Sequence, residues 1–181
     1  MAAEDGLFYL HDSIAGNQAI DSAQHRALFA NVAKRSRYFV VNPGLIDRPD
    51  IRSKQIEIGN RYFEGAASGT IMVGERPDTA EFERLFDWPD AVIHLPYNSS
   101  DIGLIINELD KQPERQEKIR RTNVAQTLLR HDWVYRWEAI LNIVGLEPLP
   151  QLLVRKERLR NLAQQVSGSA QNTCLAESRT K

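Results

Sequence analysis

The residues best suited to do chemistry gather in one stretch, Glu57-Ile58-Gly59-Asn60-Arg61-Tyr62-Phe63-Glu64-Gly65-Ala66-Ala67-Ser68-Gly69-Thr70, which runs on through Ile71-Met72-Val73-Gly74-Glu75. If its first half is helical, Glu57 and Glu64 stand two turns apart on one face, with their carboxylates roughly 10 Å from each other. Two acceptors so spaced suit the hydroxyls of one elongated ligand, such as a ribose or another sugar. The spacing does not suit the ~5 Å carboxylate pair of a retaining glycosidase, and a single helix cannot flank a bond from both sides. The plainer alternative is a pair of solvated helix-surface acids. Gly65 to Gly69 likewise have a plain reading, close packing of a helix on a sheet. Two loops follow strand-like runs and so fall at the carboxyl ends of strands, where open α/β sheets bind ligands. Asn42-Pro43-Gly44 either sets backbone groups against a base or ribose or is a simple turn. Gly74-Glu75-Arg76-Pro77-Asp78 leads into a helix whose first amides, with Arg76, could meet a diphosphate, although Glu75 and Asp78 would oppose one.

Other chemistries lack their patterns. His11, His25, His94 and His131 form no pair at metal-binding spacing and there is no H-E-x-x-H, so no metal is expected. Ser68 is misplaced for a G-x-S-x-G nucleophile elbow, and neither G-x-G-x-x-G nor G-x4-G-K-[ST] is present. His131 reads as a helix-break or packing residue, and Trp133 and Trp137, one turn apart, read as core partners of Leu141. The charged runs 113–121 and 155–160 read as solvated helix faces.

The elements that must position these residues alternate in an α/β pattern. Strands are expected at Gly6 to Leu10, Tyr38 to Val41, Thr70 to Val73 and Ala91 to Leu95, rich in β-branched and aromatic residues. Asp21 and Asp78 read as N-caps with Gln24 and Glu81 reaching back, and Ala27, Leu28 and Val32 as an apolar face. The helix between the second and third strands is expected from near Ser53 to Ser68, closed by Gly69 in the left-handed conformation. After the last strand only helices follow: about 100–109, then 113–144 broken at His131-Asp132, then 150–166, with Gly145 as a C-cap and Pro148 forbidding continuation. Residues 1–166 read as one domain and 167–181, polar and without apolar period, as a disordered tail.

Composition narrows the setting. Of 181 residues 42% are hydrophobic, and 23 Lys plus Arg face 24 Asp plus Glu for a net charge of −1, so there is no global field for nucleic acid or anionic lipid. The lone Cys174 excludes an internal disulfide. No apolar run reaches membrane-spanning length and the acidic start lacks a basic leader region, so a cytoplasmic protein is expected.

Arg61-Tyr62-Phe63-Glu64-Gly65-Ala66-Ala67-Ser68-Gly69-Thr70 with its following apolar strand resembles the nucleotide-sugar-binding domain of GT-B glycosyltransferases, especially the bacterial group 1 (family 4-like) and CgeB-like kinds. A second anchor, His131-Asp132-Trp133-Val134-Tyr135-Arg136-Trp137, resembles the H-x-W-x-x-R closing helix of the same proteins. The resemblance covers roughly Gly6 to Ala163. It implies a Rossmann-like parallel sheet with flanking helices, the C-terminal half of a GT-B fold, that takes part in transferring a sugar from a nucleotide donor, such as a UDP- or GDP-sugar, to an acceptor. Glu64 matches the later glutamate of the E-x7-E pattern, which holds the donor ribose. The chain departs at the earlier position, where Ile56 stands and Glu57 gives E-x6-E. Arg61 falls where a basic residue is common; it either faces phosphate or braces Glu64 or Glu57. The donor-binding candidates are therefore Glu64, Arg61, Glu57, Asn42, Gly44, Gly69 and Arg76, and no cofactor is expected. The resemblance also implies a preceding acceptor domain that supplies the catalytic base. With so few strands the chain reads as a fragment truncated at its N-terminal edge, with weak or no activity alone. The rival reading is a non-catalytic α/β protein-interaction module.

Overall fold

A computed structural model describes residues 8–10, 21–48, 50 and 57–177, with side chains through 168, and three short strands organise these described residues. The strands are β1 (Tyr38–Val41), β2 (Ile71–Gly74) and β3 (Ile93–His94), paired in parallel in the order β1-β2-β3. Tyr38 lies opposite Ile71 and Val41 opposite Gly74, while Val73 and Gly74 face Ile93 and His94. The helices are α1 (Ser22–Arg35), α2 (Asn60–Ser68), α3 (Ala80–Leu85), α4 (Ile102–Asp110), α5 (Pro113–Arg130), α6 (Trp133–Ile143) and α7 (Pro150–Glu177). The result is the expected small parallel α/β sheet with flanking helices and an all-helical C-terminus.

The middle strand is buried on both faces, which is why all four of its residues are apolar or glycine. Met72 points to one core with Val41, Tyr62, Ala66, Phe82, Phe86 and Trp88. Ile71 and Val73 point to the other with Leu95, Leu109 and Ile119. The two helix layers are thus joined through a strand only one residue thick. Asn123, fully buried on α5, ties them further: its Nδ2 donates to the Thr70 carbonyl (2.9 Å) and its Oδ1 accepts from Trp88 Nε1 (2.8 Å).

The caps explain most boundaries. Asp21 Oδ1 accepts from the N–H groups of Ala23 and Gln24, starting α1. Gly69, at φ 69°, ends α2. α5 ends at Arg130 with His131 as its C-cap, and Asp132 starts α6 by accepting from the Val134 N–H. Several expectations are corrected. Thr79, not Asp78, caps α3, its Oγ1 accepting from the Phe82 N–H. Of the first expected strand, Gly6 and Leu7 lie outside the described residues, and residues 8–10 pair with no strand. Ser53 also lies outside them; α2 starts at Asn60, because Gly59 takes an extended conformation at the N-cap and a glycine is costly inside a helix. Glu57 is therefore not helical, and the two-turn spacing to Glu64 does not apply. Leu28 is exposed, whereas α1 packs through Phe29, edge-on to Phe39 at 6.0 Å, and buried Ala33. Trp133 and Trp137 are exposed rather than core, since α6 turns Val134 inward. The last helix runs to Glu177 rather than ending at Val166, although Gly168 and the Ser, Asn and Thr around it are weak helix formers.

Candidate functional site

The carboxyl ends of all three strands converge, and the reason is Gly74. A Cβ there would lie 1.8 Å from the Val41 carbonyl oxygen, so only glycine lets β2 approach β1 this closely. The approach brings Asn42 and Glu75 together, and the Glu75 N–H donates to Asn42 Oδ1 (3.1 Å). From α2 the Tyr62 hydroxyl donates to the Glu75 carbonyl (2.7 Å), and beyond β3 the Tyr97 N–H donates to Glu75 Oε1 (3.0 Å). The second Glu75 oxygen lies 4.0 Å from Nδ1 of His94, which is largely exposed. Burial, with the Glu75 charge adding to it, pushes the Tyr62 hydroxyl pKa well up, so it stays protonated as the donor. Glu75 is thus a half-buried acceptor held from every strand and from α2.

The expected residues separate into pairs. Gly44 and Glu57 come together, with Glu57 Oε2 3.6 Å from where a Gly44 Cβ would stand. Glu57 is exposed and takes no hydrogen bond or ion pair among the described residues. Arg61 pairs with Glu64 at 3.0 Å and lays its guanidinium over the Phe29 ring at 4.4 Å. Arg76 pairs with Glu83 at 2.7 Å. Both ion pairs are exposed and so hold their arginines by only about 0.2–1 kcal/mol, little against an entering phosphate. Among the described residues the start of α2 has neither a side-chain cap nor an acid in its first turn; the Tyr62 N–H donates to the Gly59 carbonyl (3.3 Å), which leaves the Asn60 and Arg61 amides for an anion. The first turn of α3 is acidic, with Glu81 and Glu83, and disfavours one. Gly69 stands at the far end of α2, where a Cβ would meet Val124 at 2.9 Å; it packs that helix end on α5.

Sequence reasoning passed over Glu75, His94 and Tyr97. In the sequence Glu75 reads only as a charge opposing phosphate. Its position directly after the central strand, at the ligand-binding edge of a parallel sheet, was the signal available.

His131, in the second sequence anchor, is buried and packs against Phe63, Phe86 and Trp88 at 5.0–6.0 Å. Neither ring nitrogen has a hydrogen-bond partner, for the Leu85 carbonyl approaches without completing one. Burial, then the nearby charges of Arg136 and Arg130, lower its pKa from 6.5 to about 4. Between these values the unfolded chain binds the proton better. The His131 contribution is complete above about pH 6.5 and is lost as the pH falls through about 4. The loss is on the order of 3 kcal/mol at about 1.4 kcal/mol per unit. Urea unfolding across this window is expected to show the decline, and His131→Leu to flatten it. An equal slope in both proteins would show that another group titrates.

A small parallel sheet with flanking helices is a Rossmann-like half-domain. The chain is a member of the glycosyl transferase-like family, whose model matches residues 6–142, from before α1 into α6. Neither the curated proteins nor the solved structures contain a match to it. Membership assigns it to glycosyl transfer, with a sugar donor and an acceptor as substrates. Among the described residues no helix is long and apolar enough to cross a membrane.

Proposed function

We propose that this chain is the donor-binding half of a GT-B glycosyltransferase of the group 1 or CgeB-like kind, and that it seats a nucleotide sugar along the carboxyl edge of its sheet. The observation that carries this reading is the convergence of Asn42, Glu75, His94 and Tyr97 from three strand ends beside the open start of α2. Carboxylates accept from hydroxyls, which suits Glu64 to the ribose and Glu57 and Glu75 to the sugar. Open amides and a loosely paired arginine suit a diphosphate, which gives that role to α2 and Arg61, with Arg76 as a second cation. Asn42 and Gly44 border the base or ribose. Gly69 drops out of the ligand set in favour of packing.

Calorimetric titration with UDP, GDP and their sugar conjugates tests the reading. Binding of one nucleotide family is expected, weakened at least tenfold in Glu64→Ala and in Glu75→Ala. A folded chain that binds none of them, or both variants binding as the parent does, would defeat it.

A further inference from the structure

Tyr62 stands in the first turn of α2 with its ring fully buried, 5.3 Å from the Phe82 ring and 6.1 Å from that of Phe86. Packing alone would be served as well by phenylalanine, and a buried hydroxyl costs free energy unless it is bonded. Its partner is the Glu75 carbonyl at 2.7 Å. That carbonyl lies just past the sheet: the register of β2 on β3 ends with Gly74 opposite His94, and the Leu95 N–H donates to the Gly74 carbonyl. The Glu75 N–H is also taken by a side chain, Oδ1 of Asn42 (3.1 Å). Both main-chain groups of Glu75 are therefore held by side chains.

A residue beyond the end of a strand has no ladder to fix it, so the direction of the Glu75 side chain follows from these two bonds. Its carboxylate reaches toward the end of β3. Oε1 accepts from the Tyr97 N–H (3.0 Å), while Oε2, 4.0 Å from Nδ1 of His94, takes no hydrogen bond among the described residues and can accept one from a ligand. We infer that Tyr62 is a positioning residue for the donor, its hydroxyl fixing the Glu75 main chain and through it the carboxylate that meets a sugar hydroxyl. This rests on the donor-binding reading. It gives α2 a part at both ends of the donor, with Arg61 and the first amides at the diphosphate and Tyr62 behind the sugar.

Calorimetric titration of the full chain with UDP- and GDP-sugars tests it in the parent, Tyr62→Phe, Glu75→Ala and the double variant. Tyr62→Phe keeps the ring in its packing and removes one hydrogen bond, and is expected to weaken binding about three- to tenfold. In the Glu75→Ala background the same change is expected to cost nothing further, because the carboxylate it aims is gone; a purely structural loss would weaken binding equally in both backgrounds. Tyr135→Phe removes an equivalent bond from a tyrosine hydroxyl to a carbonyl, that of Leu128 (2.9 Å), and is expected to leave affinity unchanged. Without ligand, amide exchange followed residue by residue is expected to quicken in Tyr62→Phe at Glu75 and Arg76 and to stay as it was at Ile71 to Val73. A folded parent that binds none of these ligands overturns the donor-binding reading and this inference with it. A parent that binds, with Tyr62→Phe neutral or equally costly in both backgrounds, or with exchange quickened evenly along β2, overturns the inference alone.

Discussion

Gly74→Ala is expected to lower stability by about 3–5 kcal/mol and the melting temperature by roughly 10 °C, read by circular dichroism. The φ of 152° is one that L side chains rarely adopt, and the added carbon would stand 1.8 Å from the Val41 carbonyl oxygen and 3.2 Å from Asn42 Oδ1. Neither backbone can yield without parting β1 from β2 at the register pair Val41–Gly74. Such a loss is a large fraction of the ~5–15 kcal/mol that holds a typical domain together. Because the displaced backbone carries Glu75, nucleotide affinity is expected to fall even where the variant stays folded. Gly65→Ala is the control. Its Cβ would meet the Met72 side chain at 2.8 Å and Phe39 at 3.0 Å, and a thioether chain can shift where a paired backbone cannot. If Gly65→Ala proved as costly as Gly74→Ala, the close strand approach would not be the controlling feature.

Asn123→Leu is expected to cost about 2–5 kcal/mol in urea unfolding, although it keeps the branched heavy-atom outline of the side chain. It strands the indole N–H of Trp88 and the carbonyl of Thr70, both inside the protein, and each unmade buried bond costs about 1–3 kcal/mol. Adding Trp88→Phe removes one orphan, so the double variant is expected to recover part of the loss beyond the sum of the singles. Strict additivity would mean that Asn123 and Trp88 are not coupled. The coupling matters for function because Asn123 holds α5 against the strand that presents Glu75.

Local patterns were legible where the chemistry is local. Tyr38–Val41 is a strand as its residue types predict, Asp21 caps α1, Gly69 closes α2, and the break at His131-Asp132 separates α5 from α6. What failed depends on which surfaces meet. Trp133 and Trp137 are apolar in type, but type does not say which helix face finds a partner within the chain. Glu57 and Glu64 looked like one helical face until Gly59 started the helix between them. Within the candidate site, the placement of Asn42 and Gly44 after a strand follows from the strand-end rule, and the same rule points to Glu75. The pairings of Arg61 with Glu64 and of Arg76 with Glu83 show how side chains three and seven residues apart share one exposed surface. The contacts from Tyr62, His94 and Tyr97 to Glu75 span the sheet and no spacing announces them.

The proposed donor site places a nucleotide sugar across the carboxyl edge of this sheet. Hydrogen–deuterium exchange of the full chain with and without saturating UDP- or GDP-sugar tests it most directly, because it reports where amides are protected. The account predicts added protection at 42–44, 57–64, 74–76 and 94–97, with 69–70 at the opposite edge and the outer face of α7 unchanged. Protection confined to those latter segments, or none anywhere in the folded chain, would contradict it.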